Sequence, residues 1–281
     1  MTVVRLTAAP RLTPLLLRGA ALSPLKRVKP DATAPDTRLV LPDAPLDARR
    51  LAAYRRICEF PAQGPLPVTY PHILGFPLAM RLMAAHDFPL PLLGLVHTSI
   101  EIDQRQPLEA SSATLELTVY AAKLAPHHRG TEATLVTEAR LLGDLVWSSR
   151  STYLARHRTS TPRPEETRPN PLPARAEWRL PGDLGRRYGS ASGDRNPIHL
   201  HPLTAKAFGF PRAIAHGMWT VARCLAEQGA EGPVRVRADF KAPVLLPGTV
   251  TYSAEGGAFE LRGGKDGGRL HLTGEVSSPG S

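Results

Sequence analysis

Apolar and polar residues alternate along this chain with two different periods. Between Leu46 and Phe60, Leu51, Ala52, Tyr54 and Ile57 lie beside Arg49, Arg50, Arg55 and Arg56, the spacing of an amphipathic helix after a Pro-rich lead-in. Pro61 to Pro71 reads as a loop. Ile73 to His86 is almost wholly apolar, so a buried helix is expected there, started or kinked by Pro77. The period then falls to two. Val96, Thr98, Ile100 and Ile102 alternate with His97, Ser99, Glu101 and Asp103, and Leu115, Leu117 and Val119 with Thr114, Glu116 and Thr118. Two further strands, Thr134 to Leu142 and Leu145 to Tyr153, flank a Gly143-Asp144 turn.

Arg156 to Arg175 breaks this pattern. Five prolines lie there among charges and threonines, the composition of an extended linker. The plan then repeats: a short helix from Leu180 to Tyr188, a polar loop, a helical piece from Pro202 to Phe208, and a long buried helix from Ala215 to Gln228. Strands follow at Val234–Phe240, Val250–Glu255, Ala258–Arg262 and Arg269–Ser277, with the last hairpin turn in Gly263–Gly268. The chain therefore reads as an α+β duplication with boundaries at 1–155, 156–175 and 176–281. Residues 1–30 contain no acid, but Pro10, Pro14 and Pro24 break any amphipathic helix and Arg5, Arg11 and Arg18 interrupt any secretory core. A cytoplasmic N-terminal arm is expected.

Composition changes this picture little. No apolar run approaches the ~18 residues of a membrane span. Cys58 and Cys224 are isolated, which fits a reducing compartment and no metal-type pair. The net charge of +10 comes mostly from scattered arginines, without an aromatic-interleaved stripe, so a nucleic-acid partner is not expected. A basic surface also suits the phosphates of coenzyme A or an acidic carrier protein.

The chemistry concentrates in Tyr188-Gly-Ser-Ala-Ser-Gly-Asp-Arg-Asn-Pro-Ile-His199. Ser192, Asp194, Asn196 and His199 place four polar groups in eight residues. Gly193 permits an unusual backbone angle beside Asp194, and Pro197 drives Asn196 out of helix. The result is a shaped loop presenting a carboxylate and an imidazole, a pair suited to general acid–base work. Asn196 does not titrate and is expected to orient. Ala215-His-Gly-Met218 then opens the long helix, where the Gly217 N–H is an orphan donor able to hold a carbonyl oxygen that gains charge. Asp194, His199, His201 and His216 can be drawn as a metal site, but their spacing matches no zinc helix or knuckle. Gly189-Ser-Ala-Ser-Gly193 is not a serine-nucleophile elbow.

Ser192-Gly-Asp-Arg-Asn-Pro-Ile-His199, Ala207-Phe-Gly-Phe-Pro211 and Ile214-Ala-His-Gly-Met218 closely resemble the MaoC-like family, which includes the (R)-specific enoyl-CoA hydratases and the mycobacterial-type (3R)-hydroxyacyl-thioester dehydratases. The resemblance implies a double hotdog, two curved antiparallel sheets each wrapped around a long helix, the second carrying the hydratase motif. It implies a hydro-lyase with Asp194 and His199 catalytic, the acid and base roles undivided, and Gly217 as the oxyanion donor. Ser192, Asn196 and His216 are the candidate substrate-positioning residues: Ser192 is expected to bond either the loop or the substrate, and His216, beside the donor, to give structural support. The resemblance implies no metal and no redox cofactor, coenzyme A or acyl carrier protein entering only as part of the substrate. Residues 62–69, Ala-Gln-Gly-Pro-Leu-Pro-Val-Thr, offer neither carboxylate nor imidazole, so the first half is expected to be a catalytically silent scaffold. Both monomer (as a pseudo-dimer) and homodimer fit such a chain. A hotdog thioesterase and a non-catalytic acyl-binding subunit are the alternatives.

Overall fold

The computed structural model describes residues 2–26, 28, 32–110, 114–164, 170–230, 232–263 and 268–278. In chain order the elements are β1 (Thr2–Arg5), α1 (Leu12–Leu22), β2 (Thr37–Ala44), α2 (Ala48–Cys58), α3 (Tyr70–Met83), β3 (Val96–Gln104), β4 (Leu115–His127), β5 (Gly130–Leu141), β6 (Asp144–Arg156), β7 (Ala174–Leu180), α4 (Leu184–Ser192), α5 (Pro197–Leu200), α6 (Pro202–Ala207), α7 (Gly217–Gln228), β8 (Val234–Phe240), β9 (Gly248–Glu255), β10 (Ala258–Gly263) and β11 (Arg269–Ser277). No helix among the described residues is long and apolar enough to cross a membrane.

Two compact units form. One comprises Met1–Pro45, Pro71–Glu101 and Ser112–Arg168; the other comprises Leu46–Tyr70, Ile102–Ser111 and Pro169–Ser281. In the first, the strand order is β1-β2-β4-β5-β6-β3, with β1 parallel to β2 and the β2-β4, β4-β5 and β5-β6 pairs antiparallel. Helix α3 buries Leu78, Met80, Leu82 and Met83. It packs on β5, where a Cβ on Gly75 would stand 2.6 Å from Thr137 Cγ2. The β5–β6 turn is centred on Leu142 and Gly143, both at positive φ, so Asp144 begins the next strand rather than the turn.

In the second unit the order is β8-β11-β10-β9-β7, antiparallel throughout. Helix α7 packs on β10 and β11. Val221, Cys224 and Leu225 meet a core that includes Phe259, Leu261 and Leu272, all essentially inaccessible to solvent.

Four expectations need correction. The units do not follow the boundaries at 155 and 176. Helix α2 buries Leu51, Tyr54 and Ile57 against α4 and α7, and that apolar face draws Leu46–Tyr70 into the C-terminal unit. Residues 12–22 do form a helix, because Pro14 falls in its first turn, where a missing N–H costs nothing. Leu180 ends β7 instead of starting a helix, and α4 begins at Leu184. His199, read as part of a loop, lies on the short helix α5. Most of the expected Gly263–Gly268 turn lies outside the described residues.

Candidate active site

The hydratase-type motif is built by α4, the turn after it and α5. Helix α4 ends at Gly193, whose φ of 85° is the left-handed conformation that glycine adopts freely. The chain then folds on itself. The Asp194 N–H donates to Ser192 Oγ at 3.2 Å, and the Asn196 N–H donates to Asp194 Oδ1 at 3.1 Å. Asn196, at φ −58° and ψ 127°, caps α5 through its side chain, and Pro197 follows at the first helical position.

Two glycines one turn apart let this loop lie directly on α4. A Cβ on Gly185 would stand 2.0 Å from the His199 carbonyl oxygen, and one on Gly189 would stand 2.7 Å from the Asp194 carbonyl oxygen. The approach is closer than any side chain allows, so both positions require glycine.

The start of α7 is fixed independently. Ala215 N–H donates to the Val244 carbonyl at 2.8 Å and Leu246 N–H to the Ala213 carbonyl at 2.8 Å, around an antiparallel bridge between Ile214 and Leu245. His216 is the N-cap residue of α7 and Gly217 its first residue; the His216 side chain does not cap the helix. The Gly217 N–H therefore belongs to the positive end of α7. The Phe240 ring lies against Gly217, within 2.9 Å of where a Cβ would be.

These segments bring one ligand-type atom from each of Asp194, His199 and His216 within 4.8 Å of one another. His199 Nδ1 lies 2.8 Å from the Ile214 carbonyl, which can only accept, so Nδ1 carries the proton and Nε2 keeps its lone pair. His216 Nε2 donates to the Asp194 carbonyl at 2.9 Å and lies 3.9 Å from Asp194 Oδ2. The two imidazoles stack with centroids 3.7 Å apart. Burial lowers the pKa of His199, with the Asp194 charge opposing that shift. His216 is driven well below its ordinary value, first by burial and then by His199 beside it. Both rings are thus neutral at neutral pH. Asp194 keeps 27% of its side chain exposed, so the carboxylate is the open face of the cluster.

All six expected site residues fall in one region, and three of them hydrogen-bond within the protein there. Ser192 is buried and holds the Asp194 backbone, Asn196 caps α5, and His216 holds the Asp194 carbonyl. Each works on the loop itself. By geometry the three-residue cluster could also hold a metal, although the His216 Nε2–H is already given to a carbonyl. Sequence reading missed Gly185 and Gly189, Tyr188, and two residues of α2. The Tyr188 ring packs 4.8 Å from His216, and Tyr54 packs 5.9 Å from Tyr188. Arg50 reaches the end of α4. The glycine pair, one helical turn apart, was the only one of these with a local signal.

Likeness to known proteins gives this site its class: the chain belongs to the MaoC-like dehydratases of hotdog fold. The MaoC-like domain model matches residues 166–266. Among particular relatives, 3-hydroxyacyl-thioester dehydratase X of Mycobacterium tuberculosis is 38% identical over 254 residues, covering 88% of this chain and 90% of the relative. A crystal structure of that organism's HtdX aligns with TM-score 0.75 at 35% identity, covering 86% of this chain and all of that one. A MaoC-like dehydratase from Phytophthora capsici, at TM-score 0.68 and 21% identity over 88% of this chain and 95% of that one, shares the fold.

Proposed function

We propose that this chain interconverts trans-2-enoyl thioesters and (3R)-3-hydroxyacyl thioesters. The observation that carries the reading is the convergence of Asp194 and His199 next to the positive end of α7. In the hydration direction a water adds to C3. The Asp194–His199 pair takes one proton from that water, and its oxygen bonds to C3. The C2=C3 electrons move toward the thioester carbonyl, whose developing oxyanion is held by the Gly217 N–H. A proton then returns from the pair to C2, and the net change is the addition of one water. Dehydration runs the same steps backward.

His199 is equipped for this role because its Nδ1–H is committed to Ile214, leaving Nε2 to accept. Asp194 supplies the charged, partly open partner. His216 and Ser192 hold the Asp194 backbone, and Asn196 shapes the turn. The scheme calls for no redox cofactor or metal. The thioester carrier is coenzyme A or an acyl carrier protein, and the setting is the cytoplasm.

Incubation of the pure protein with crotonyl-CoA and longer enoyl-CoAs tests this. Loss of enoyl absorbance with formation of the (3R)-alcohol is expected. Release of free thiol marks a thioesterase, and binding without turnover marks an acyl-binding subunit; either result contradicts the proposal.

A further inference from the structure

The segment matched by the family model begins at residue 166, yet a charged side chain far upstream of it grips the catalytic loop. Arg50 lies in the first turn of α2, where the Asp47 carboxylate caps the N–H groups of Arg49 and Arg50 at 2.8 and 3.0 Å. Its guanidinium points out of that turn toward the far end of α4. Arg50 Nε–H donates to the Ala191 carbonyl at 3.1 Å, and Nη2–H donates to the Ser192 carbonyl at 2.7 Å. These are the last carbonyls of α4, which no further helical N–H can satisfy. A cation at a helix C-terminus also meets the negative end of its dipole. Helix α4 has no basic residue of its own in its last turn, so Arg50 supplies that charge from another element.

The grip bears directly on the reacting carboxylate. Ser192, whose carbonyl Arg50 holds, also accepts the Asp194 N–H on its hydroxyl. The Asp194 carbonyl in turn receives the His216 Nε2–H. One turn along the same face of α2, Tyr54 packs on Tyr188, and Tyr188 packs on His216. Helix α2 therefore braces α4 at its C-terminal carbonyls and, through Tyr188, braces the His216 ring. A planar guanidinium can hold two neighbouring carbonyls at once, whereas an ammonium is a single point of attachment.

We propose that Arg50 is a positioning residue for Asp194: it fixes the end of α4, and with it the carboxylate, and so completes the site from outside the matched domain. This rests on the hydratase reading above. The test is a comparison of Arg50→Ala and Arg50→Lys with the wild type on an enoyl-CoA. Arg50→Ala should lower kcat by about 10- to 100-fold, the scale of a misplacement approaching 1 Å, with KM within about twofold and the melting transition retained. Added guanidinium ion should restore part of that kcat where equal sodium chloride does not. Arg50→Lys should recover only a fraction. If Arg50→Ala fails to fold, Arg50→Lys and its guanidinium-independent kcat decide the matter alone. Wild-type kcat in either variant, or a loss of kcat that only tracks loss of folded protein, overturns the proposal. The imidazole NMR signals of His216 give a readout that needs no turnover. They should shift in Arg50→Ala, and unchanged signals contradict the clasp. Inert wild-type protein would instead count against the hydratase reading.

Discussion

The two glycines under the proposed catalytic loop allow activity to be graded by geometry. A Cβ on Gly185 would lie 2.0 Å from the His199 carbonyl oxygen, whereas carbon–oxygen contacts settle at about 3.3 Å or more, so α5 must retreat by about 1.3 Å (3.3 − 2.0). On Gly189 the distance to the Asp194 carbonyl oxygen is 2.7 Å, and the same subtraction leaves about 0.6 Å (3.3 − 2.7). On Gly182 the nearest atom is Pro247 Cδ at 3.6 Å, an ordinary contact. Gly185→Ala thus carries the His199 backbone beyond the ~1 Å that can cost about 10²-fold in rate. It should also lower stability, by up to about 3 kcal/mol, because the atom that must move is backbone and replacing a helical glycine returns at most about 1 kcal/mol; the urea midpoint separates that loss from the loss of turnover. Enoyl-CoA turnover, with urea midpoints for each variant, should rank Gly182→Ala near wild type, Gly189→Ala intermediate and Gly185→Ala lowest by roughly two orders of magnitude. Equal turnover in Gly185→Ala and Gly182→Ala would refute the claim that backbone contact with α4 sets the position of His199.

Two further outcomes are expected. His199 and His216 are held neutral by burial, and His97 is pushed down to about 3 by burial and then by His72, so the unfolded chain binds protons first as pH falls. Their contribution to stability is therefore present at neutral pH and is lost as pH drops through the ordinary histidine value near 6.5, at up to about 1.4 kcal/mol per pH unit for each ring. Urea midpoints should fall between pH 7 and pH 5, with a shallower slope in His216→Asn; an unchanged slope contradicts the neutral assignment of His216. Gly217→Val would set a branched Cβ about 2.9 Å from Phe240 Cε1, beside the proposed oxyanion donor. It should lower kcat/KM by roughly 10²–10³-fold while Asp194 and His199 remain in place. Near-normal kcat/KM in that variant would remove Gly217 from the mechanism.

What the sequence made legible was what local spacing encodes. The alternations at 96–103 and 234–240 are strands, and the apolar run after His216 is the buried helix on which the second sheet packs. Gly193 and Asn196 have the backbone angles that glycine and a pre-proline residue suggest. Strand β1 was not legible because its four residues gain order only by pairing in parallel with β2, a contact separated by 35 residues. Strand β7 lies within and just beyond the proline-rich stretch, and only its pairing with β9 makes Ala174–Leu180 a strand. Asp194 and His199 were visible because the turn chemistry that shapes them is written in adjacent residues. Arg50 and Tyr54 were not, since on an amphipathic helix they read as one solvated charge and one core aromatic. Only the packing of α2 against α4 gives them partners 141 and 134 residues away. For Ser192, Asn196 and His216, spacing placed polar groups near the site without saying which of them turn back to hold the backbone.

The central claim is that Asp194 and His199 act as one acid–base unit, and a double-mutant comparison of hydration tests it most directly. With crotonyl-CoA as substrate and circular dichroism confirming the fold, Asp194→Asn and His199→Ala should each lower kcat by about 10³-fold or more, and the double variant should be little worse than either, because members of one unit do not lose activity additively. Losses that multiply in the double variant, or near-normal turnover in either single variant with an intact fold, would contradict it.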